Sequence, residues 1–390
     1  MRVSHVITRL IVGGAQENTI STVLGLSRLP GLQVELISGP SIGPEGSLES
    51  LVAHPPGLLR VLPSLVRPIH PFLDLLALRD LTRHFRQTRP DIVHTHSGKA
   101  GVLGRLAAAR AGIKIIVHTI HGPSFGPFQG RFSNFIFRAA ERHAARVTTH
   151  FITVAQAMTR QYLQAGIGRP DQYTRIFSGF DLRPFASAQN DPALRASYGI
   201  EPSDLVIGTI GRLFKLKGHD ELFAIAPKII EAVPRVKFLL VGDGPWRSRF
   251  EALAASGVGK NHFVFTGLVP PSEVPRHVGI MDFLVHLSRR EGLPRALPQA
   301  LAAGRPVVAT DCDGAGEVCL DGQTGFLIAP DDSSRLEEKI LALAGNPDLR
   351  RRLGAAGRSF VLENFPVESM VSRIHQLYLQ LLAVPATSVP

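Results

Sequence analysis

The chain has 390 residues, of which 44% are apolar and 19% charged, with a formal net charge of +11. That composition excludes a largely disordered chain, the two cysteines exclude a disulfide scaffold, and no apolar run reaches the roughly 18 residues of a membrane-spanning helix. The length allows two or three domains, and the positive balance favours anionic partners: nucleic acid, an anionic membrane surface or phosphorylated small molecules.

The first residues, Met1-Arg2-Val3-Ser4-His5-Val6-Ile7, hold too short an apolar run for a signal peptide and lead into a strand-like pattern. A cytoplasmic location is therefore expected. Runs rich in Val and Ile then alternate with helix-length segments. Strands are predicted at 3–8, 34–38, 91–94, 115–118 and 151–154, with helices at 15–27, 73–87, 99–111 and 133–146. The second half repeats the rhythm, with strands at 205–210, 236–241, 262–266, 283–286 and 306–309. Its helices are predicted at 220–232, 246–254, 273–278, 294–302 and 333–345, and a last helix at 367–382. Continuous apolar strands alternating with helices imply parallel sheets covered on both faces. The expected fold is α/β, with two doubly wound, Rossmann-like domains facing each other across a cleft. Residues 1–182 form the first, 183–366 the second, and 367–390 a terminal helix able to pack back on the first. The segment 178–203, with Pro184, Pro192 and Pro202 and no strong periodicity, reads as linker and turns. The stretch 55–71, with five prolines among leucines and cations, reads either as an irregular loop capping the core or as an acceptor or membrane-surface loop.

In open parallel sheets, ligands bind beyond the carboxyl ends of the strands, where helix N-termini present unpaired amides. Polar residues directly after predicted strands are therefore the candidates. Gly13-Gly14 follows the first strand, either as an ordinary tight turn or as a place where backbone amides approach a phosphate or sugar. His94-Thr95-His96 and His118-Thr119-Ile120-His121 follow later strands. The histidines read as structural or as sugar-orienting, His121 best placed for the latter; no Cys or carboxylate motif completes a metal set, so no metal is expected. Arg212 and Lys217 lie in a glycine-bounded loop before a helix, which suits a diphosphate unless the loop is only a solvated basic one. Glu291 lies in a loop before a helix carrying Gln299, with the amides of Gly292 and Leu293 between them. Asp311-Cys312-Asp313 fits a DxD metal–nucleotide pattern, but so short a match arises by chance and reads as a turn, as does Gly242-Asp243-Gly244-Pro245. Arg is scattered without aromatic interleaving, so nucleic acid is not expected as a partner.

In this order, the Gly13-Gly14 loop, His94-Thr95-His96-Ser97-Gly98-Lys99-Ala100-Gly101, His118-Thr119-Ile120-His121-Gly122, Gly211-Arg212-Leu213, Lys217-Gly218, Val241-Gly242-Asp243-Gly244-Pro245, Glu291-Gly292-Leu293-Pro294, the strand from Gly304 to Thr310 and Thr324-Gly325-Phe326-Leu327 span nearly the whole chain. Together they resemble the family 4 glycosyltransferases of the GT-B fold, retaining enzymes of bacterial surface-polysaccharide assembly. The resemblance implies that Arg212 and Lys217 neutralise the departing nucleotide diphosphate and that Glu291 binds donor-sugar hydroxyls. It assigns the Gly292 and Leu293 amides to sugar and phosphate, Gly13 and Gly14 to the donor, His121 to the sugar near the reacting centre, and His96 and Lys99 to the acceptor side. It implies a nucleotide-sugar donor, UDP first, a glycan or polyprenyl-linked acceptor, no cofactor and no metal. It also makes peripheral attachment to the inner membrane face a further expectation. Two positions depart from the family pattern. Gln299 stands where a second Glu usually takes the ribose hydroxyls, a loss of about 1 kcal/mol of charge assistance, and Ser178-Gly179 replaces Asn-Gly. A UDP-sugar 2-epimerase of the same fold, or a catalytically weak nucleotide-sugar-binding subunit, is the competing reading.

Overall fold

The computed structural model describes residues 1–42, 46–96, 98–126, 128–256 and 259–383. Ser97 of the His94–Gly101 motif, and residues 384–390 of the expected terminal segment, lie outside the described residues. The chain divides into two compact units: Met1–Phe180 together with the segment from Val367, and Asp181–Pro366.

The first unit is built on β1 (Arg2–Ile7), β2 (Gln33–Ser38), β3 (Leu59–Val61), β4 (Ile92–His96), β5 (Ile115–Ile120), β6 (His150–Thr153) and β7 (Tyr173–Arg175). They form one sheet in the order β3-β2-β1-β4-β5-β6-β7, and every pairing is parallel. The helices are α1 (Gly14–Ser27), α2 (Pro71–Thr88), α3 (Gly98–Arg110), α4 (Arg131–Ala145) and α5 (Gln156–Gln164). The chain returns to this unit for its C-terminal helix, Val367–Ala383. That helix buries Met370, Val371, Ile374, Leu377 and Tyr378, a single face at helical spacing, against Val3, Leu26, Ile92, Val117 and Ile152. Gly25 of α1 admits it: a Cβ there would lie 2.3 Å from Val371 Cγ2.

The second unit opens with two short helices, α6 (Arg183–Ala186) and α7 (Pro192–Ser197), inside the segment expected to be linker. Its sheet runs β10-β9-β8-β11-β12-β13, all parallel, from β8 (Leu205–Ile210), β9 (Val236–Val241), β10 (Phe263–Gly267), β11 (Phe283–His286), β12 (Val307–Thr310) and β13 (Gly325–Ile328). Helices α8 (His219–Ala232), α9 (Arg247–Ala255), α10 (Val274–Gly279), α11 (Ala296–Ala302), α12 (Ser333–Gly345) and α13 (Pro347–Asn364) cover it. Residues of the strands and of α8, α12 and α13 share one apolar core, with Ile207, Phe238, Phe283, Ile229, Ile340 and Leu353 at its centre.

The structure adds elements that the pattern does not announce. The strands β3 and β7 are three-residue edges, too short to show alternation, and β13 is broken from its predecessors by a turn-rich segment. Helix α13 carries a narrow buried stripe of Leu353, Gly354, Gly357 and Val361. Two of its four buried positions are glycines, which is why the stripe does not read as apolar; a Cβ at Gly354 would meet the Gly304 carbonyl at 2.1 Å. Helix α11 starts at Ala296, so Pro294 precedes it rather than opening its first turn.

In each sheet the strand order reverses once, between β1 and β4 in the first unit and between β8 and β11 in the second. At such a switch point, successive connections leave on opposite faces and open a crevice at the carboxyl ends.

Candidate active site

In the second unit, the two loops leaving the switch-point strands are fastened to each other. The loop after β8 runs from Gly211 to Gly218, and the loop after β11 from Leu287 to Arg295. Arg289 donates its backbone N–H to the Leu216 carbonyl at 2.9 Å, and Ser288 Oγ donates to the same oxygen at 3.2 Å. Gly218 is the N-cap of α8 in the left-handed region at φ 69°, and a Cβ there would come within 2.0 Å of the Leu287 carbonyl. Only glycine permits that approach. A second backbone seam holds the front of the loop: Leu213 donates to the Asp243 carbonyl and Trp246 to the Leu213 carbonyl, both at 3.0 Å. Gly242 and Gly244 make this seam possible, since Cβ atoms would meet the carbonyls of Gly211 and Leu213 at 2.2 and 2.4 Å.

This stitching brings Lys217 and Glu291 together. Lys217 Nζ lies 2.5 Å from Glu291 Oε1, and His286 Nε2 lies 3.2 Å from the same oxygen. Burial by itself opposes the charge on Glu291, but the Lys217 ammonium and the His286 ring outweigh it and hold the carboxyl well below its usual range. Asp313 accepts the Glu291 backbone N–H at 2.7 Å, and Gly314 donates to the Gly292 carbonyl at 3.0 Å. The Asp311–Asp313 segment is thus a turn, with Asp313 at φ 52°, and one of its carboxylates braces the loop after β11. His219, the first residue of α8, is also buried beside this cluster; desolvation first, then His286 and Lys217, lower its pKa to about 4. Thr209, Lys217, Gly218, His219, His286 and Leu287 line a small cavity here. Arg212 stands exposed on the same loop with its guanidinium 5.8 Å from the Phe214 ring centroid. Gly292 and Leu293 are buried, and Gln299 is half-buried on α11.

In the first unit, Gly13 caps α1 with extended backbone, Gly14 opens the helix, and the Gly13 carbonyl accepts the Glu17 N–H at 3.0 Å. The cap has no side chain to satisfy the amides of the first turn. The histidines gather because register pairs His5 of β1 with His94 of β4, and residues two apart share a face. His5, His94 and His96 all lie on that face and are fully buried. His94 Nδ1 is 2.5 Å from Tyr378 Oη of the C-terminal helix, and its Nε2 is 2.6 Å from Thr119 Oγ1. His96 bridges His5 and His121, its Nε2 2.9 Å from His5 Nδ1 and its Nδ1 3.0 Å from His121 Nε2. Desolvation keeps His5 at about 3 and His121 at about 4, and lowers His94 and His96 well below the usual range. On the opposite face, His118 Nδ1 pairs with Thr95 Oγ1 at 2.8 Å beneath α3. Lys99, at the start of α3, forms an ion pair with Asp74 and donates to the Pro68 carbonyl at 2.5 Å, fastening the proline-rich stretch to α2 and α3.

His5, His94 and His96 bring one ring nitrogen each within 4.8 Å of one another, the spacing of a metal set. Both nitrogens of His94 and both of His96 are already engaged in hydrogen bonds, however, and no carboxylate or thiol joins the three among the described residues. Sequence reasoning did not single out His5, His286 or Ser288, and it read Asp313 as part of a turn without its contact to the Glu291 backbone. His286 had a signal, since it ends a strand as His96 does; His5 enters the histidine cluster only through its register partner.

Two family models match in tandem. Residues 12–183 match Glycosyltransferase Family 4, and residues 190–360 match Glycosyl transferases group 1. The chain belongs to the family 4 glycosyltransferases. This transferase is 27% identical over 324 residues to an Escherichia coli protein named UDP-Gal:alpha-D-GlcNAc-diphosphoundecaprenol alpha-1,3-galactosyltransferase, covering 82% of this chain and 83% of that one. It is 28% identical over 297 residues to a GDP-mannose-dependent alpha-(1-6)-phosphatidylinositol monomannoside mannosyltransferase of Mycolicibacterium smegmatis, covering 74% and 76% of the two chains. Among solved structures, the Anabaena protein HepE in complex with UDP superposes with a TM-score of 0.81 at 22% identity, over 97% of this chain and 100% of that one. Sucrose-phosphate synthase of Thermosynechococcus elongatus gives a TM-score of 0.81 at 19% identity, over 98% and 99%. The fold of the transferase is GT-B: two Rossmann-like parallel-sheet units, of seven and six strands.

Proposed function

We propose that this transferase moves a sugar from a nucleotide-diphosphate sugar, with UDP as the nucleotide, to a glycan or polyprenyl-linked glycan acceptor in cell-surface polysaccharide synthesis. Retention of the anomeric configuration and independence of metal are part of the proposal. The observation that carries it is the Lys217–Glu291–His286 cluster at the carboxyl ends of β8 and β11, a cation and an ionised carboxylate held beside a helix N-terminus. Glycosyl transfer develops oxocarbenium character on the sugar while negative charge gathers on the departing diphosphate. Lys217 and Arg212, with the first amides of α8, suit the stabilisation of that charge. Glu291, ionised at neutral pH, accepts hydrogen bonds from sugar hydroxyls, and the Gly292 and Leu293 amides serve sugar and phosphate. Gln299 takes the ribose hydroxyls with a neutral amide. Gly13, Gly14 and His121 are assigned to the donor sugar, and His96 and Lys99 to the acceptor side. Retention follows if the departing phosphate itself takes the proton of the incoming hydroxyl on the face it leaves.

A peripheral membrane position is favoured by α4, where Phe132 and Phe135 are 76% and 70% exposed beside Arg131, Arg138 and Arg142. Aromatic residues flanked by cations suit an anionic lipid surface, and among the described residues no helix is long and apolar enough to cross a membrane.

The test is a nucleotide-sugar library screened by thermal shift, followed by mass spectrometry of products formed on membrane lipid extracts. Donor-dependent stabilisation and an acceptor mass increased by one sugar, with the donor's anomeric configuration in the product and no loss of rate in chelator, is the expected result. Rearrangement of UDP-sugar without any acceptor would instead identify an epimerase. Tight donor binding with no product would identify a binding subunit.

A further inference from the structure

Three imidazoles run in line through the first unit: His5, His96 and His121, joined by nitrogen–nitrogen contacts of 2.9 and 3.0 Å. Their planes are nearly parallel, at 15° between His5 and His96 and 28° between His96 and His121. Burial keeps all three neutral at physiological pH. A neutral imidazole has one N–H and one bare nitrogen, so such a chain has only two self-consistent arrangements. In the first, His5 Nδ1–H donates to His96 Nε2, His96 Nδ1–H donates to His121 Nε2, and His121 carries its proton on Nδ1. In the second, every bond is reversed, and His121 presents a bare Nδ1.

The far end of the chain decides between them. His5 Nε2 is buried without a hydrogen-bond partner among the described residues. In the first arrangement it is a bare lone pair; in the second it is a buried N–H with no acceptor. Stranding a buried donor is the rarer and costlier outcome. His94 lies beside the chain but does not enter it, because Tyr378 and Thr119 hold both of its nitrogens.

We infer that His5 and His96 act as positioning residues that fix His121 as the Nδ1–H tautomer, so that the atom left for substrate is a hydrogen-bond donor and not a base. The consequence rests on the proposed function only in naming the ligand: a sugar oxygen is accepted there, and the proton of the incoming hydroxyl must go elsewhere. His5 thus has a role although it touches no substrate.

Selective 15N-histidine labelling of the full-length protein, read by long-range proton–nitrogen correlation, tests the inference without any turnover, and so independently of the transferase reading. Replacement of His121 by Gln assigns its signals. The expected spectrum has a pyrrole-type Nδ1 and a pyridine-type Nε2 on His121; the opposite pattern, or a near-equal mixture, overturns the inference. His5→Leu removes the first donor and is expected to scramble the His121 tautomer, whereas His5→Asn, whose amide N–H stands near the place of Nδ1–H, restores it. If donor transfer is measurable, His5→Leu lowers kcat/KM about tenfold, the size of one hydrogen bond, with UDP affinity unchanged. An unaltered His121 tautomer in folded His5→Leu would overturn the inference, and so would a zinc-induced shift of the His5, His94 and His96 signals. Should His5→Leu fail to fold, the spectrum of the unsubstituted protein still decides.

Discussion

Glu291 illustrates how a single side chain acquires its chemistry from its neighbours. Desolvation would drive its carboxyl toward neutrality, and Lys217 and His286 reverse that. Because its pKa is lowered on folding, Glu291 contributes stability fully present above the ordinary Glu range near 4.5, and lost as pH falls below it. The proposed function assigns the same ammonium and the Arg212 guanidinium to the departing diphosphate. Lys217→Ala and Arg212→Ala are each expected to lower turnover by about 100-fold or more, with steady-state kinetics as the measurement and a retained cooperative melt as the control. Near-normal rates in either would remove the proposed charge stabilisation. Gln299 makes a converse prediction. Restoring a carboxylate with Gln299→Glu is expected to tighten nucleotide binding about fivefold by calorimetry, corresponding to about 1 kcal/mol, and unchanged affinity would show that this side chain does not meet the ribose.

Among the elements, α3 shows how closely a helix lies over the histidine strands. A Cβ on Gly101 would be 2.5 Å from His118 Cε1, and one on Gly104 would be 2.8 Å from Thr95 Cγ2. Gly101→Ala therefore forces α3 away from β4 and β5 despite alanine's better helix propensity. A loss of about 1–3 kcal/mol is expected in urea unfolding, and a gain would mean that propensity outweighs the clash. Helix α4 has the opposite character, with an outward apolar face that nothing within its own unit covers at Phe132 and Phe135. The pair Phe132→Ser and Phe135→Ser is expected to reduce co-sedimentation with vesicles containing phosphatidylglycerol several-fold, with soluble-donor binding unchanged. Equal sedimentation would detach this face from the membrane reading. The element pattern was largely legible because buried parallel strands are continuous apolar runs and their covering helices are long. Short edges such as β3 and β7, and a glycine-lined helix such as α13, leave little hydrophobic signal to read.

Across the whole molecule, the two units should respond differently to acid. His5, His94, His96, His118 and His121 sit in the first unit with pKa values lowered by burial, whereas the second carries His219 in that condition. Unfolding lets each ring take up a proton near pH 6.5, so stability is full above that value and declines as pH falls toward the folded values, about 3 for His5 and about 4 for His121. Each ring contributes a slope of up to about 1.4 kcal/mol per pH unit. Between pH 6.5 and 4.5 the first unit is expected to lose more stability than the second, measured by hydrogen exchange alongside the fluorescence of the single tryptophan, Trp246, in the second unit. Parallel losses in both would indicate that the histidine cluster does not control acid stability.

The sequence by itself determined the alternation of strand and helix and the family motifs that follow the strands, because backbone hydrogen bonding and apolar periodicity are local. It also placed Gly13, His121, Arg212, Lys217 and Glu291 in the loops that follow strands. Which of them meet was decided only by the tertiary structure. Strand order places β8 next to β11, and so Lys217 against Glu291 across 74 positions of chain; register places β1 next to β4, and so His5 against His96 across 91. Contacts of that separation depend on how strands pair in space, which no local stretch of residues encodes.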